Sequence, residues 1–171
     1  MSNLQNSTIQ GFRPIIPKQP KILVLGSMPS VKSLEDEFYY AHSRNAFWPI
    51  IENLTGRSLK SISEKISALD DLGIFLWDVL QACERKGSLD SAIRNPEAND
   101  FEGIFTDYPE IQAVCFNGQA AEKLFRQHVL KHQSLPAGLV YRSLPSTSPA
   151  NAKLKIEDKY LIWEENLRPF L

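Results

Sequence analysis

Four short apolar runs, each bounded by turn-forming residues, constrain what this chain can fold into. Lys21-Ile22-Leu23-Val24-Leu25 ends at Gly26, and Ile74-Phe75-Leu76-Trp77 follows Gly73. Ala113-Val114-Cys115-Phe116 ends at Asn117-Gly118, and Leu139 to Leu144 follows Gly138 and stops at Pro145. Runs this short, apolar without alternation and rich in branched or aromatic residues, suit strands buried on both faces of a parallel sheet. The gaps between them carry helical periodicity. Residues 45–54 open on an Asn cap, with Pro49 early enough to be tolerated. Residues 61–71 set Ile62, Ile66 and Leu69 on one face, and 119–131 space Ala120, Leu124, Val129 and Leu130 at helical intervals. Residues 152–167 do the same with Leu154, Ile156, Leu161 and Ile162, and 100–107 adds a short helix. Strands alternating with helices predict an α/β fold, three α/β/α layers around a mainly parallel four-stranded sheet. Residues 1–20, with three of the eleven prolines, read as an extended arm, and 21–171 as a single domain.

Composition excludes several classes. A hydrophobic content of 43% and a charged content of 23% are those of a globular chain rather than a disordered one. No apolar stretch approaches the roughly eighteen residues of a membrane span. The N-terminus, MSNLQNSTIQGF, lacks the basic start and apolar run of a secretory signal, so a cytoplasmic location is expected. Two cysteines, Cys83 and Cys115, are too few for a disulfide framework or a four-thiolate cluster. His128 and His132, four apart on a helix, have no carboxylate partner near them in sequence and read as solvent-facing. No metal, no other cofactor and no membrane contact is expected, and the chain is expected to act as a monomer.

In an open parallel sheet, ligands bind beyond the carboxyl ends of the strands. Two loops there carry unusual chemistry. After the first run comes Gly26-Ser27-Met28-Pro29-Ser30, followed downstream by Tyr39-Tyr40-Ala41-His42-Ser43-Arg44-Asn45-Ala46-Phe47-Trp48. After the last comes Ser146-Thr147-Ser148-Pro149-Ala150-Asn151. Gly26 permits close backbone approach and Pro29 stiffens the turn. A Ser/Thr/Pro loop opening onto a helix offers hydroxyls and free N–H groups to phosphate, although ordinary turns with capping serines have the same composition. There is no P-loop, no GxGxxG after the first run and no nucleophile elbow. Adjacent Tyr39 and Tyr40 cannot both be buried on one face, so one is expected to meet a planar ligand, where stacking on a base contributes about 1–3 kcal/mol. Phe47 and Trp48, on the first turn of a helix, read as core. The position of Asn45 is also compatible with a plain helix cap. His42 reads as a loop anchor, and Arg44 as a surface arginine within reach of phosphate.

The pattern GSMPS…YYAHSRNAFWPI, with LPSTSPANA near the C-terminus and AVCFNGQAAEKLF between them, resembles the uracil-DNA glycosylase superfamily, most of all its hypoxanthine-DNA (deoxyinosine) glycosylase branch. The likeness extends from the first run to the last helix. It implies a monofunctional glycosylase of base excision repair that extrudes a deaminated base and hydrolyses its N-glycosidic bond. Gly26 to Ser30 then occupy the first motif. Met28 stands where the mismatch-specific branch has Asn, and the loop has no Asp, which argues against ordinary uracil excision. In the hypoxanthine branch an Asn in the NxFW segment is catalytic, and Asn45 is that residue. Tyr40 matches the aromatic position that stacks on the extruded base, and His42 and Phe47 are grouped with it as substrate-binding. Ser146, Thr147, Ser148, Pro149 and Ala150 match the motif that grips the strand, with Asn151 and Arg44 beside it as DNA-binding. Ala150 falls where relatives insert a larger apolar wedge. No lysine lies in either motif to attack the sugar, so hydrolysis without strand cleavage is expected. The other readings are excision of uracil or mismatched thymine, and a non-catalytic module that binds damaged or single-stranded DNA.

A net charge of −1, from 19 basic and 20 acidic side chains, speaks against DNA binding only if the charge is spread evenly. It is not. Residues 1–60 carry 7 basic and 4 acidic groups, and 111–156 carry 6 and 1, whereas 64–110 carry 4 and 11. The segments holding the two motifs are the basic ones, which predicts one mildly positive face and salt-sensitive affinity.

Overall fold

A computed structural model describes residues 7–171. Along the chain run β1 (Thr8–Gln10), β2 (Ile22–Gly26), α1 (Val31–Asp36), α2 (Phe47–Thr55), α3 (Ile62–Leu72), β3 (Ile74–Asp78), β4 (Leu80–Glu84) and β5 (Arg94–Ala98). They are followed by α4 (Phe101–Asp107), β6 (Ala113–Asn117), α5 (Gln119–Phe125), β7 (Val140–Leu144) and α6 (Ile156–Leu167). The four apolar runs form one wholly parallel sheet in the order β3-β2-β6-β7. Ile22 to Leu25 of central β2 have no exposed surface, the double-sided burial that unbroken apolarity demands. The chain leaves β2 for β3 on one side and returns through β6 on the other. This reversal opens a crevice at the strand ends.

Helices cover the sheet in two groups. α2 packs against α3 and α6, and Phe47 meets Trp163 edge-on at 6.0 Å. Phe101 of α4 meets Phe125 of α5 at 5.3 Å, and Phe125 meets Phe116 of β6 at 5.1 Å. Several helix details depart from the expectation. α3 buries Ala68 and Leu69 but leaves Ile62 and Ile66 exposed, because its first half projects past the core. α6 starts at Ile156 and buries Lys159, Trp163 and Leu167, so Leu154, Ile156 and Leu161 face outward. The 119–131 segment is α-helical to Phe125 and then widens into a π-helical turn, Arg126–Leu130.

A second, antiparallel sheet of order β1-β4-β5 was not foreseen. One residue, Val79, separates β3 from β4, and its amide donates to Gly26 O at 2.8 Å. The chain therefore changes sheets at the end of β2. Residues 7–20 are stitched into the fold: β1 pairs with β4, and Ile15 bridges Leu76 through bonds of 2.9 and 3.0 Å. The first six residues of the expected arm lie outside the described residues. Among the described residues, no helix is long and apolar enough to cross a membrane.

Candidate active site

All four parallel strands deliver their carboxyl ends to one cavity of about 260 Å³. Gly26, Asp78 and Asn117 close β2, β3 and β6, and Ser146 lies just past β7. Gly26 is required by packing. A Cβ there would sit 2.5 Å from Asp78 Oδ1 and 2.8 Å from Tyr40 Oη, so only glycine lets these side chains converge. The cavity is small for a ligand site and suits one planar base.

Asp78 is the most unusual group in it. Only 3% exposed, it leaves Oδ2 without a hydrogen-bond partner among the described residues. Burial, and then the charge of Asp90, push its acid up to about 7, with Arg85 opposing them. A carboxyl held partly neutral near neutral pH can both donate and accept a hydrogen bond. The Tyr39 and Tyr40 hydroxyls, which also face this acid, are pushed far up by burial first and by Asp78 second.

Both tyrosines border the cavity, but they are held differently. Tyr39 is core: its hydroxyl donates to Arg13 O at 2.7 Å and its ring meets Phe12 at 5.1 Å. Tyr40 lines the cavity from a left-handed backbone (φ 52°), a conformation that costs a non-glycine residue about 1 kcal/mol or more. Its Oη is buried without a partner among the described residues, and its ring leans on Phe47 at 4.4 Å. Phe47 itself has no exposed surface and does not line the cavity, which corrects its place among the substrate-binding residues. It backs Tyr40 instead.

Asn45 lines the cavity one residue before the cap position of α2, held by Ala46. Its Oδ1 accepts from the Phe47 backbone N–H at 2.9 Å, and its backbone N–H, not its side-chain Nδ2, donates to His42 O at 2.9 Å. Capping and cavity lining thus coexist in one side chain, because capping engages only the oxygen. His42 also lines the cavity, with Nδ1 accepting from the Arg44 amide at 3.1 Å. Arg44 is exposed and lies outside the cavity.

The first motif loop is clamped rather than free. Ser27 Oγ donates to Asp90 Oδ1 at 2.5 Å, Ser88 Oγ accepts from the Val31 amide at 2.9 Å, and Arg85 Nη2 donates to Pro29 O at 2.5 Å. Met28 is 7% exposed, and Ser30 caps α1 by accepting from the Ser33 amide. Gly26 to Ser30 all line the cavity.

The second motif loop is tied to β6 and α6. Asn117 Nδ2 donates to Thr147 Oγ1, and Asn117 Oδ1 accepts from the Thr147 amide, both at 2.9 Å. Thr147 is 1% exposed, so its hydroxyl is not available to phosphate, a correction to its DNA-binding assignment. Asn151 is likewise a brace outside the cavity: its amide donates to Ser146 O, and its carbonyl accepts from buried Lys159. Ser146, Thr147, Ser148, Pro149 and Ala150 all line the cavity. Ser146 and Ser148 accept from the amides of Ser148 and Ala150, leaving each hydroxyl proton free to donate.

Sequence reasoning missed Asp78, Asn117, Ser88 and Asp90. A signal for the first two was present, since each is a polar residue that closes an apolar run. Ser88 and Asp90 reach the cavity only through the second sheet.

Residues 14–165 match the model of the uracil DNA glycosylase superfamily. A hypoxanthine DNA glycosylase of Methanosarcina acetivorans is 33% identical over 163 residues, covering 93% of this chain and 98% of the relative. One from Methanosarcina barkeri is 38% identical over 112 residues, 64% of this chain and 71% of its own. The solution structure of a candidate uracil DNA glycosylase from Methanosarcina acetivorans superposes with a TM-score of 0.78 at 32% identity, covering 96% of this chain and 99% of that one. With the family model matching residues 14–165 and a relative 33% identical over 93% of the chain, the chain belongs to the uracil DNA glycosylase superfamily.

Proposed function

We propose that the protein is a monofunctional DNA glycosylase that hydrolyses the N-glycosidic bond of an extruded hypoxanthine. The observation that carries this reading is Asn45, whose amide stands on the wall of a base-sized cavity with only its oxygen engaged. The name and coverage of the Methanosarcina relatives support the substrate. A base in a duplex is out of reach, so it must be extruded at a cost of a few kcal/mol, offset by stacking and by contacts to the flanking strand. Tyr40, backed by Phe47, supplies the ring, and the Ser146 and Ser148 hydroxyls donate to phosphate. Cleavage places positive charge on the sugar and negative charge on the departing base. The Asn45 Nδ2 group donates to an acceptor of that base, and the second lone pair of Oδ1 remains for the attacking water. The backbone N–H groups of Met28 and Ser30, on either side of Pro29, line the cavity wall and are the main-chain donors for the developing anion. The neutral form of Asp78 offers a donor and an acceptor to the base edge.

Lys32 lines the cavity rim, but its amine pairs with Asp36 at 3.1 Å, so an abasic product without strand cleavage is expected. The cavity is complete within one chain, and a monomer suffices. The test uses labelled duplexes holding one hypoxanthine, one uracil or one G·T mismatch, each followed by alkali. Alkali-labile product from hypoxanthine above all is the expected result. Product from uracil alone would replace the substrate, and no product from any duplex would leave a DNA-binding module.

A further inference from the structure

Extruding a base leaves a gap in the duplex that closes again unless an apolar side chain fills it. Ala150, on the second motif loop, is too short to fill that space. Across the cavity lies a different candidate. Ser88 and Asp90 both line the cavity, and Leu89 between them is 65% exposed, a higher exposure than that of any other large apolar side chain among the described residues.

From this arrangement we infer that Leu89 is the wedge that enters the base stack and holds the extruded nucleotide out. The inference rests on the base-excision reading of the cavity. An exposed leucine on a mobile loop would mean little, because it could fold back. This loop is held firmly. Ser88 Oγ takes the Val31 amide, Asp90 Oδ1 takes the Ser27 hydroxyl, and Arg85 joins Pro29 O to Gly87 O through bonds of 2.5 and 2.7 Å. Each tie runs to the first motif loop, to the first residue of α1 that follows it, or within the turn itself, so Leu89 keeps a fixed position relative to the cavity while staying in solvent. Rigid presentation is what an intercalating side chain needs, since the ordering cost is met before DNA arrives. Leu154 is the competing apolar side chain after the second motif loop, but it is 38% exposed and four residues beyond the last cavity-lining position of that loop.

A wedge matters in proportion to the pairing it must break. The test compares single-turnover release of hypoxanthine from two duplexes, one with cytosine opposite and one with an abasic site opposite. Leu89→Ala is expected to lose about tenfold or more on the paired duplex and less than about threefold on the unpaired one. Leu89→Phe is expected to restore most of the loss, and Leu154→Ala to change neither rate. Because Leu89 is exposed, its substitution should leave the melting temperature unchanged, which separates wedge loss from misfolding. Equal losses on both duplexes, no loss on either, or a pairing-dependent loss from Leu154→Ala would overturn the assignment. Wild-type protein inactive on both duplexes would instead overturn the base-excision reading, and the wedge with it.

Discussion

The strands on either side of β2 end in polar residues with opposite fates. Asn117, at the end of β6, gives both halves of its amide to Thr147 and so fixes the loop after β7. Asp78, at the end of β3, is more deeply buried than half-buried Asn117, yet keeps an oxygen unpartnered among the described residues and an acid pushed up to about 7. A satisfied buried polar group holds structure, whereas an unsatisfied one costs stability and stands ready for a ligand. Asn45 divides in the same way within one side chain, its oxygen tied to Phe47 and its amide not.

The sharpest way to break this comparison is to remove the untied half of Asn45. Asn45→Ala is expected to lose about 100-fold or more in single-turnover rate while still binding DNA in a gel shift. Asn45→Asp keeps the acceptor for Phe47 and removes the donor, so a similar rate loss at unchanged melting temperature would place the chemistry on Nδ2. Near-normal rates for either variant would make Asn45 only a cap.

Asn117→Ala is expected to act on stability, because it strands the Thr147 amide and hydroxyl. A loss of about 1–3 kcal/mol corresponds to a fall in melting temperature of about 2–4 °C per kcal/mol for a chain of this size. Scanning calorimetry would read it, and an unchanged melting point would refute the structural role.

Asp78→Asn should move stability the other way, and by an amount that depends on pH. The folded state holds the Asp78 proton more tightly than the unfolded state does. Its contribution is therefore full below the ordinary carboxylate range near pH 4 and is lost as pH rises through about 7. The Asn variant is expected to melt several degrees higher than wild type at pH 8 and to lose that advantage towards pH 4. A gap that does not change with pH would mean Asp78 titrates normally. Activity that depends on neutral Asp78 should also decline above pH 7.

Arg44, exposed and outside the cavity, should give the smallest effect. Arg44→Ala is expected to weaken DNA binding a few-fold and to lower the slope of log affinity against log salt by about 1, with the rate on bound DNA unchanged.

The four strand positions, the sheet and the two motif loops were legible because unbroken apolar runs and turn residues are local signals. The second sheet was harder to read. β4 does alternate over Leu80-Gln81-Ala82, but β5 contains Pro96, tolerated only because β5 lies at an edge. Phe47 and Thr147 were assigned to the ligand because motif membership does not reveal burial. Ile62 and Ile66 keep perfect helical spacing and still face solvent, since periodicity defines a face but not what covers it.

Sequence alone therefore determined the layer architecture, the loops at the strand ends and the segregation of charge, because each is carried by neighbours along the chain. Tertiary structure decided which polar groups are tied and which are left open. Asp78 meets Tyr40 at the cavity wall because Gly26 has no Cβ to stand between them. Leu89 stands at the rim only because Ser27, Pro29 and Val31 clamp a loop about sixty residues away. Hydrogen-bond partnership and burial are set by what converges in space, and that convergence is decided by the way β3, β6 and the second sheet meet at the end of β2.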